Sequence, residues 1–158
     1  MQSATQRMTE DRFDNPLEAR KKAMDYLARR EHGRSELIGK LVRFGFDEDT
    51  ADAAVAQLVA DNLQSDTRFV ETFIASRISQ GKGPQRIRAD LRERDIGDAL
   101  ITQGLKAAAH DWYAAASEVR QKKFGSGRPV DFNEKARQMR FLQSRGFDSD
   151  QIQAAVSA

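Results

Sequence analysis

The residues of this 158-residue chain whose type and spacing could do chemistry fall into four sets, and three of them are quickly reduced to structural roles. His32 and His110 are the only imidazoles, and neither has a second histidine or a carboxylate at ligand spacing. A zinc site needs three or four convergent ligands, so both read as cap or surface histidines and no metal is expected. Asp47, Asp49 and Asp52 resemble a calcium cluster but lack the glycine and the distal glutamate of a calcium loop. Negative charge at a helix N-terminus explains them without a ligand. Gly81-Lys82-Gly83 has the look of a phosphate-cradling loop, yet no strand precedes it and no Gly-Lys-Ser/Thr ending follows. It reads as a tight turn whose lysine, with the N–H groups of a helix opening at Pro84, could meet a phosphate or carboxylate on a partner.

The fourth set is basic. Between Arg77 and Arg94 the residues Arg77, Lys82, Arg86, Arg88, Arg92 and Arg94 face only Asp90 and Glu93. A second group, Arg120, Lys122, Lys123, Arg128, Arg137 and Arg140, follows further along. Such runs are often plain solvated surface; placed on one face they would form a stripe fit for phosphates or an acidic protein surface. Net charge is only +2, so distribution rather than balance carries this reading. No Ser-His-Asp set or carboxylate pair can be nominated, cysteine is absent, and neither an enzyme nor a cofactor is expected.

Helices must position these residues. Phe44-Gly45-Phe46-Asp47 and Arg145-Gly146-Phe147-Asp148 are close copies 101 positions apart, with a weaker version at Arg94-Asp95-Ile96-Gly97-Asp98. The two close copies read as a helix end, a turn and a new helix: Gly45 and Gly146 for the left-handed residue, Phe46 and Phe147 turned onto the core, and Asp47 and Asp148 to cap. Self-similarity at about fifty residues predicts a tandem array. The expected fold class is all-α, with three three-helix repeats at 15–64, 65–109 and 110–158 and a flexible tail at 1–14.

Within these limits Asn15-Pro16 starts a helix bearing Ala19, Ala23, Tyr26, Leu27 and Arg30 until Gly33. Gly33 caps the next, with Glu36 as half of a capping box and Leu37, Leu41 and Phe44 inward. Ala51, Ala54, Val55 and Leu58 line the third helix, which Asn62 ends. Asp66 is expected to cap a helix with Phe69, Val70, Phe73, Ile74 and Ile78. Ile87 and Leu91 repeat Leu37 and Leu41 fifty positions on, and Ile101, Leu105 and Ala108 share a face. Asp111 opens a helix with Ala115, Ala116 and Val119; the loop Gly125 to Pro129 precedes an Asp131/Glu134 capping box and a helix with Ala136, Met139 and Leu142. Met1 to Glu10 lacks the apolar core of a secretion signal, so a cytoplasmic protein is expected, with no membrane contact. Nothing demands a dimer, and a monomer is the expectation.

The chain resembles the RecX family, regulators of the RecA recombinase. The resemblance rests on Tyr26-Leu27-Ala28-Arg29-Arg30-Glu31, Glu36 to Leu41, Leu63 with Asp66-Thr67-Arg68-Phe69, Arg77 with Gly81-Lys82-Gly83-Pro84, Ile87 to Leu91, and Arg145-Gly146-Phe147. One departure is Gly33, where a serine cap is expected. The resemblance implies a curved, elongated array that binds the RecA filament on single-stranded DNA, inhibits ATP hydrolysis and strand exchange, and limits filament extension, with roles in recombination, DNA repair and the SOS response. The basic face expected to serve this is Arg77, Lys82, Arg86, Arg88, Arg92, Arg120, Lys122, Lys123, Arg137 and Arg140. A rival reading is a stand-alone DNA-binding module acting by occupying DNA; a third is an adaptor with an unrelated partner.

Overall fold

A computed structural model of the chain describes residues 12–157. The expected tail therefore lies outside the described residues for positions 1–11. Every regular element among the described residues is helical. In chain order they are α1 (Pro16–Arg29), α2 (Arg34–Phe44), α3 (Glu48–Ala60), α4 (Asp66–Ser79), α5 (Pro84–Glu93), α6 (Asp98–Ala108), α7 (Trp112–Phe124), α8 (Phe132–Arg145) and α9 (Ser149–Ser157). None is long and apolar enough to cross a membrane.

The three helix joints share one hydrogen bond. Phe46, Ile96 and Phe147 each donate their backbone N–H to the carbonyl of a leucine five residues earlier, Leu41, Leu91 and Leu142, at 3.1, 3.1 and 3.2 Å. That 6→1 closure requires a left-handed residue just before the donor. Gly45 (φ 130°) and Gly146 (φ 97°) supply it without a Cβ penalty, whereas the middle joint uses Asp95 at φ 59°. All three leucines are fully buried, and the residues that fold back over them are at most 5% exposed. The apolar residue after each joint thus closes the core over the helix that has just ended.

Contacts divide the chain into two compact units between Phe69 and Val70. The first is a bundle of α1, α2 and α3 around Ala19, Ala23, Leu37, Leu41, Phe46, Ala51, Ala54, Val55 and Leu58. Asn15 caps α1 by accepting from the N–H of Leu17 at 2.9 Å, and Pro16 occupies the position where its missing N–H costs nothing. The helix stops at Arg29, before the expected Gly33, because Arg30 turns to extended backbone. Asp66 is a second difference. Ser65 sits at the start of α4 and accepts from the N–H of Arg68, while Asp66 accepts from the N–H of Arg34 at 2.8 Å and so caps α2 across the fold. Gly33 has no side chain with which to do this, and the carboxylate from a later segment replaces it. Glu36 receives both guanidinium nitrogens of Arg30 at 3.0 Å. Phe44, expected inward, is 39% exposed and instead packs with Phe13 and Phe46 at the bundle surface.

The second unit carries the remaining two triplets. Phe69 closes the first unit, and from Val70 onward Val70, Phe73, Ile74, Ile87, Leu91, Ile96, Ile101 and Leu105 are buried, while Ala108 is exposed because α6 ends there. In the last triplet Ala116, Leu142, Phe147, Ile152, Ala155 and Val156 form a core flanked by Trp112, Val119, Met139 and Phe141. Asp111 caps α7 through the N–H of Ala114 at 3.1 Å, and Asp131 caps α8 through that of Glu134 at 2.8 Å. Asp148 and Gln151 complete a reciprocal box at α9, each side chain accepting the other's N–H at 3.0 Å.

Candidate partner-binding surface

The turn Gly81-Lys82-Gly83 is used inside the protein. Gly83 donates its N–H to the carbonyl of Arg145 at 2.8 Å, and Gln85 donates to that of Gly146 at 2.9 Å. The start of α5 thereby satisfies carbonyls left over at the end of α8. Of the N–H groups expected to meet a partner's phosphate, that of Gln85 is taken by this bond. The approach is close enough that a Cβ on Gly83 would run into the Gly146–Phe147 peptide, and one on Gly146 into the backbone of Arg86. Lys82 is half-buried beside this junction.

The arginines of α5 do not lie on one face. At about 100° per residue, Arg86, Asp90 and Arg94 fall on one flank of the buried Ile87 and Leu91, and Arg88 and Arg92 fall on the other. On the first flank Asp90 meets Arg86 at 3.5 Å and Arg77 at 3.7 Å, and Arg77 and Arg94 lie over the Phe73 ring at 4.2 and 4.9 Å. Arg77 is thus held by a carboxylate and an aromatic face with little of its side chain exposed. On the other flank Arg92 pairs with Asp98 at 2.8 Å and Arg88 donates to the Thr102 hydroxyl at 3.2 Å. Arg86 and Arg92 stay about half exposed and remain available to a partner.

The third-repeat set divides as well. Arg120 is buried at 3% exposure, which corrects its place on the expected basic face. Its Nη1 donates to the Gly127 carbonyl at 3.0 Å and lies 3.4 Å from the Gln138 amide oxygen, tying the 125–131 loop to α7 and α8. A charge without a carboxylate contact is tolerated there because loop carbonyl and amide dipoles point at it. Lys123 and Arg137 lie over the edge-to-face pair Phe124 and Phe141, at 5.5 Å from Phe141 and 5.0 Å from Phe124. Arg137 also pairs with Glu134 at 3.1 Å, which holds that carboxyl below its ordinary range, and Lys122 pairs with Glu118 at 3.2 Å. Arg140 lies about one turn along α8 from Arg137, at the edge that faces α9.

There it lines a feature that the pattern of charges did not reveal. A groove of about 920 Å³ opens between α8 and α9, walled by Phe132, Lys135, Met139, Arg140, Phe147 and Ile152, with Gln85 of α5 at its edge. Phe132 is 82% exposed and Val130 89%. The sequence signal was present in Pro129-Val130-Asp131-Phe132, two apolar residues alternating with a loop proline and a cap where solvent normally selects polar ones.

His32 is the other correction. It is buried, with Nδ1 3.0 Å from the Arg30 carbonyl and Nε2 2.9 Å from the Lys40 ammonium. A carbonyl only accepts, so Nδ1 carries the hydrogen and Nε2 accepts from Lys40, leaving the ring neutral. Burial lowers its pKa, and the adjacent Arg30 and Lys40 charges lower it further. Gln64 donates to the His32 carbonyl at 3.1 Å and to Asp66 at 3.0 Å. The imidazole thus ties the turn after α1 to Lys40 of α2, while the His32 backbone carbonyl holds the approach to α4.

These triplets match known sequences. Family models describing the first, second and third three-helix domains of RecX match residues 19–58, 65–105 and 110–156. The chain belongs to the RecX family. It is 44% identical over 136 residues to the regulatory protein RecX of Halorhodospira halophila, covering 86% of this chain and 84% of that one. With the regulatory protein RecX of Pseudomonas savastanoi it is 44% identical over 145 residues, covering 92% and 94%. These relatives are regulatory proteins by name, not enzymes. The fold is similar to the crystal structure of RecX from Lactobacillus salivarius, at a TM-score of 0.74 and 18% identity over 90% of this chain and 94% of that one. A second crystal structure of regulatory protein RecX gives 0.77 at 19% identity, over all of this chain and 79% of that one.

Proposed function

We propose that this chain is a negative modulator of the RecA recombinase, binding the RecA filament on single-stranded DNA along its groove. In this reading it inhibits ATP hydrolysis, strand exchange and filament extension. The observation that carries it is membership of all three repeats in the RecX family, whose relatives at over 40% identity are named regulatory proteins. The repeat limits we infer, 15–64, 65–109 and 110–158, leave each joint inside one repeat.

A chain that touches neighbouring recombinase subunits at once would favour the subunit spacing it fits best, and would slow the ATPase cycle by the difference in its affinity for the filament's states. Arg86, Arg92, Lys122, Lys123, Arg137 and Arg140 are the exposed cations that would meet an acidic rim or DNA backbone; Arg77, Lys82 and Arg88 are half-buried and secondary. The single-stranded DNA is reached directly or through the filament, the protein acts as a monomer, and its place is the cytoplasm. Reversing both charges at Arg86 and Arg92 to glutamate is expected to relieve inhibition of RecA ATPase with helicity unchanged by circular dichroism. Unchanged inhibition would remove these positions from the interface. Binding to single-stranded DNA alone, tight and falling steeply with salt, would instead favour a module acting by occupying DNA.

A further inference from the structure

The Phe132 end of the groove between α8 and α9 is exposed, whereas the corresponding end in the first repeat is met by the start of α4. At the 101-residue offset Phe132 and Lys135 correspond to Glu31 and Arg34. In the first unit Glu31 pairs with Arg68 at 3.2 Å and the N–H of Arg34 is capped by Asp66 at 2.8 Å, so the first turn of α4 lies against the start of α2. That is the fold's own example of a helix end seated at this location; in the third repeat the Lys135 N–H is already bonded to the Asp131 carbonyl at 3.0 Å, so charge is offered there by side chains. In the third repeat the same location shows bare Phe132, and Met139 and Arg140 stand where the first repeat has Ile38 and Gly39.

Its electrostatics are one-sided. Neither Lys135 nor Arg140 has an ion-pair partner among the described residues, and Arg128 stands in the adjoining cleft of about 350 Å³. The acids nearby, Asp131 and Asp148, direct a carboxylate oxygen at the N–H groups of Glu134 and Gln151 at 2.8 and 3.0 Å. Free positive charge rims an apolar floor. A trough between two helices, rising from Phe132 to Gln143 over about 16 Å of helix, has the length of three turns.

We propose that this groove seats an amphipathic helix of the recombinase, with apolar anchors at i, i+3 or i+4 over Met139, Phe147 and Ile152 and carboxylates reaching Lys135 and Arg140. This rests on the function proposed above and assigns the partner surface within it. Phe132 closes over the anchor as a flap at one end, and the affinity gained is largest where a large apolar side chain is desolvated.

The test uses the full chain, labelled, binding RecA filaments assembled on single-stranded DNA with a non-hydrolysable nucleotide. Phe132→Ser removes a side chain that makes almost no contact in the free protein, so folding is unaffected. Ala136→Glu places a repelling carboxylate on the groove floor at a helix-favouring position. We expect about tenfold weaker filament binding for the first and more for the second, and about tenfold for Lys135→Glu, with helicity retained. Binding within twofold of the unsubstituted chain for both Phe132→Ser and Ala136→Glu overturns the groove while leaving the function intact. Failure of the unsubstituted chain to bind filaments overturns both. If the unsubstituted chain sediments as a dimer and Phe132→Ser as a monomer, the groove joins two copies and the proposal is likewise overturned.

Discussion

The joint at Gly45 and the joint at Gly146 have nearly the same sequence and the same internal hydrogen bonds, yet they are covered differently. Over Gly45 lies the ring of Phe13, edge-on to Phe46 at 5.4 Å, while the Phe13 carbonyl accepts from the N–H of Asp47 at 3.3 Å. Over Gly146 lies backbone, the start of α5, bonded through Gly83 and Gln85. One joint is closed by a side chain that can turn aside, the other by a main chain that cannot. The caps differ accordingly. Asp148 caps α9, but Asp47 makes no cap bond to α3 and instead acts on Asp14, whose pKa is raised by the hydrogen that the two carboxyls can share and by their like charge. A motif copied along a chain thus keeps its backbone closure and changes its neighbours.

The difference is testable by substitution. Gly146→Ala should be the most damaging, because it strains a left-handed φ and drives a Cβ into the Arg86 backbone. We expect a loss of about 4 kcal/mol or failure to fold, read by urea unfolding through Trp112, the chain's only tryptophan. Gly83→Ala probes the same approach from an ordinary backbone conformation and should cost about 2–3 kcal/mol. If both behave like surface substitutions, the weld between α5 and α8 is absent.

Removing Arg120 sharpens the contrast within the third repeat. Arg120→Ala takes the Arg120 donor from the Gly127 carbonyl and the Gln138 amide oxygen and leaves a void under the loop, for an expected loss of about 3 kcal/mol in the same assay. An effect under about 0.5 kcal/mol would return Arg120 to the surface. Gly45→Ala should cost less than Gly146→Ala, about 1–2 kcal/mol, and part of that cost should vanish in a Phe13→Ala background. The double-mutant cycle should show at least about 0.5 kcal/mol of coupling; strict additivity would mean that the ring does not press on the glycine.

The smallest effect is pH dependence in the first unit. A histidine whose pKa is lowered on folding takes up protons more readily when unfolded, so its contribution is intact above the unfolded value, about 6.5, and is lost as pH falls below it. Urea midpoints followed by circular dichroism from pH 7.5 to 5 should decline, and His32→Gln should flatten that slope. An equal slope in both would place the titration elsewhere.

Much of this architecture was legible in the residues. The left-handed glycines, the apolar residues that fold back after them, and Asn15-Pro16 all act through local backbone chemistry, which sequence carries directly. The fifty-residue echo of Leu37 and Leu41 in Ile87 and Leu91 holds because helical spacing selects a buried face, and all four are fully buried. What was not legible depends on which distant segment arrives. Asp66 reads as a local cap until Arg34 is seen beside it. Arg120 reads as surface charge until the loop folds its Gly127 carbonyl inward. Phe44 has inward spacing, yet α1 sets the Lys22 ammonium over its ring at 4.4 Å rather than an apolar side chain, and the ring stays partly exposed. The arginines of α5 look like a stripe in one dimension and divide into two flanks in three. Charge counts likewise could not reveal the α8–α9 groove, whose floor is apolar.

The most direct measurement of the central claim is a titration of this chain into RecA hydrolysing ATP on single-stranded DNA, at amounts well below the recombinase. Hydrolysis should fall progressively at such ratios, with a weaker response from the Arg86 and Arg92 reversal. Undiminished hydrolysis at equimolar chain, with no binding to the filament, would contradict it.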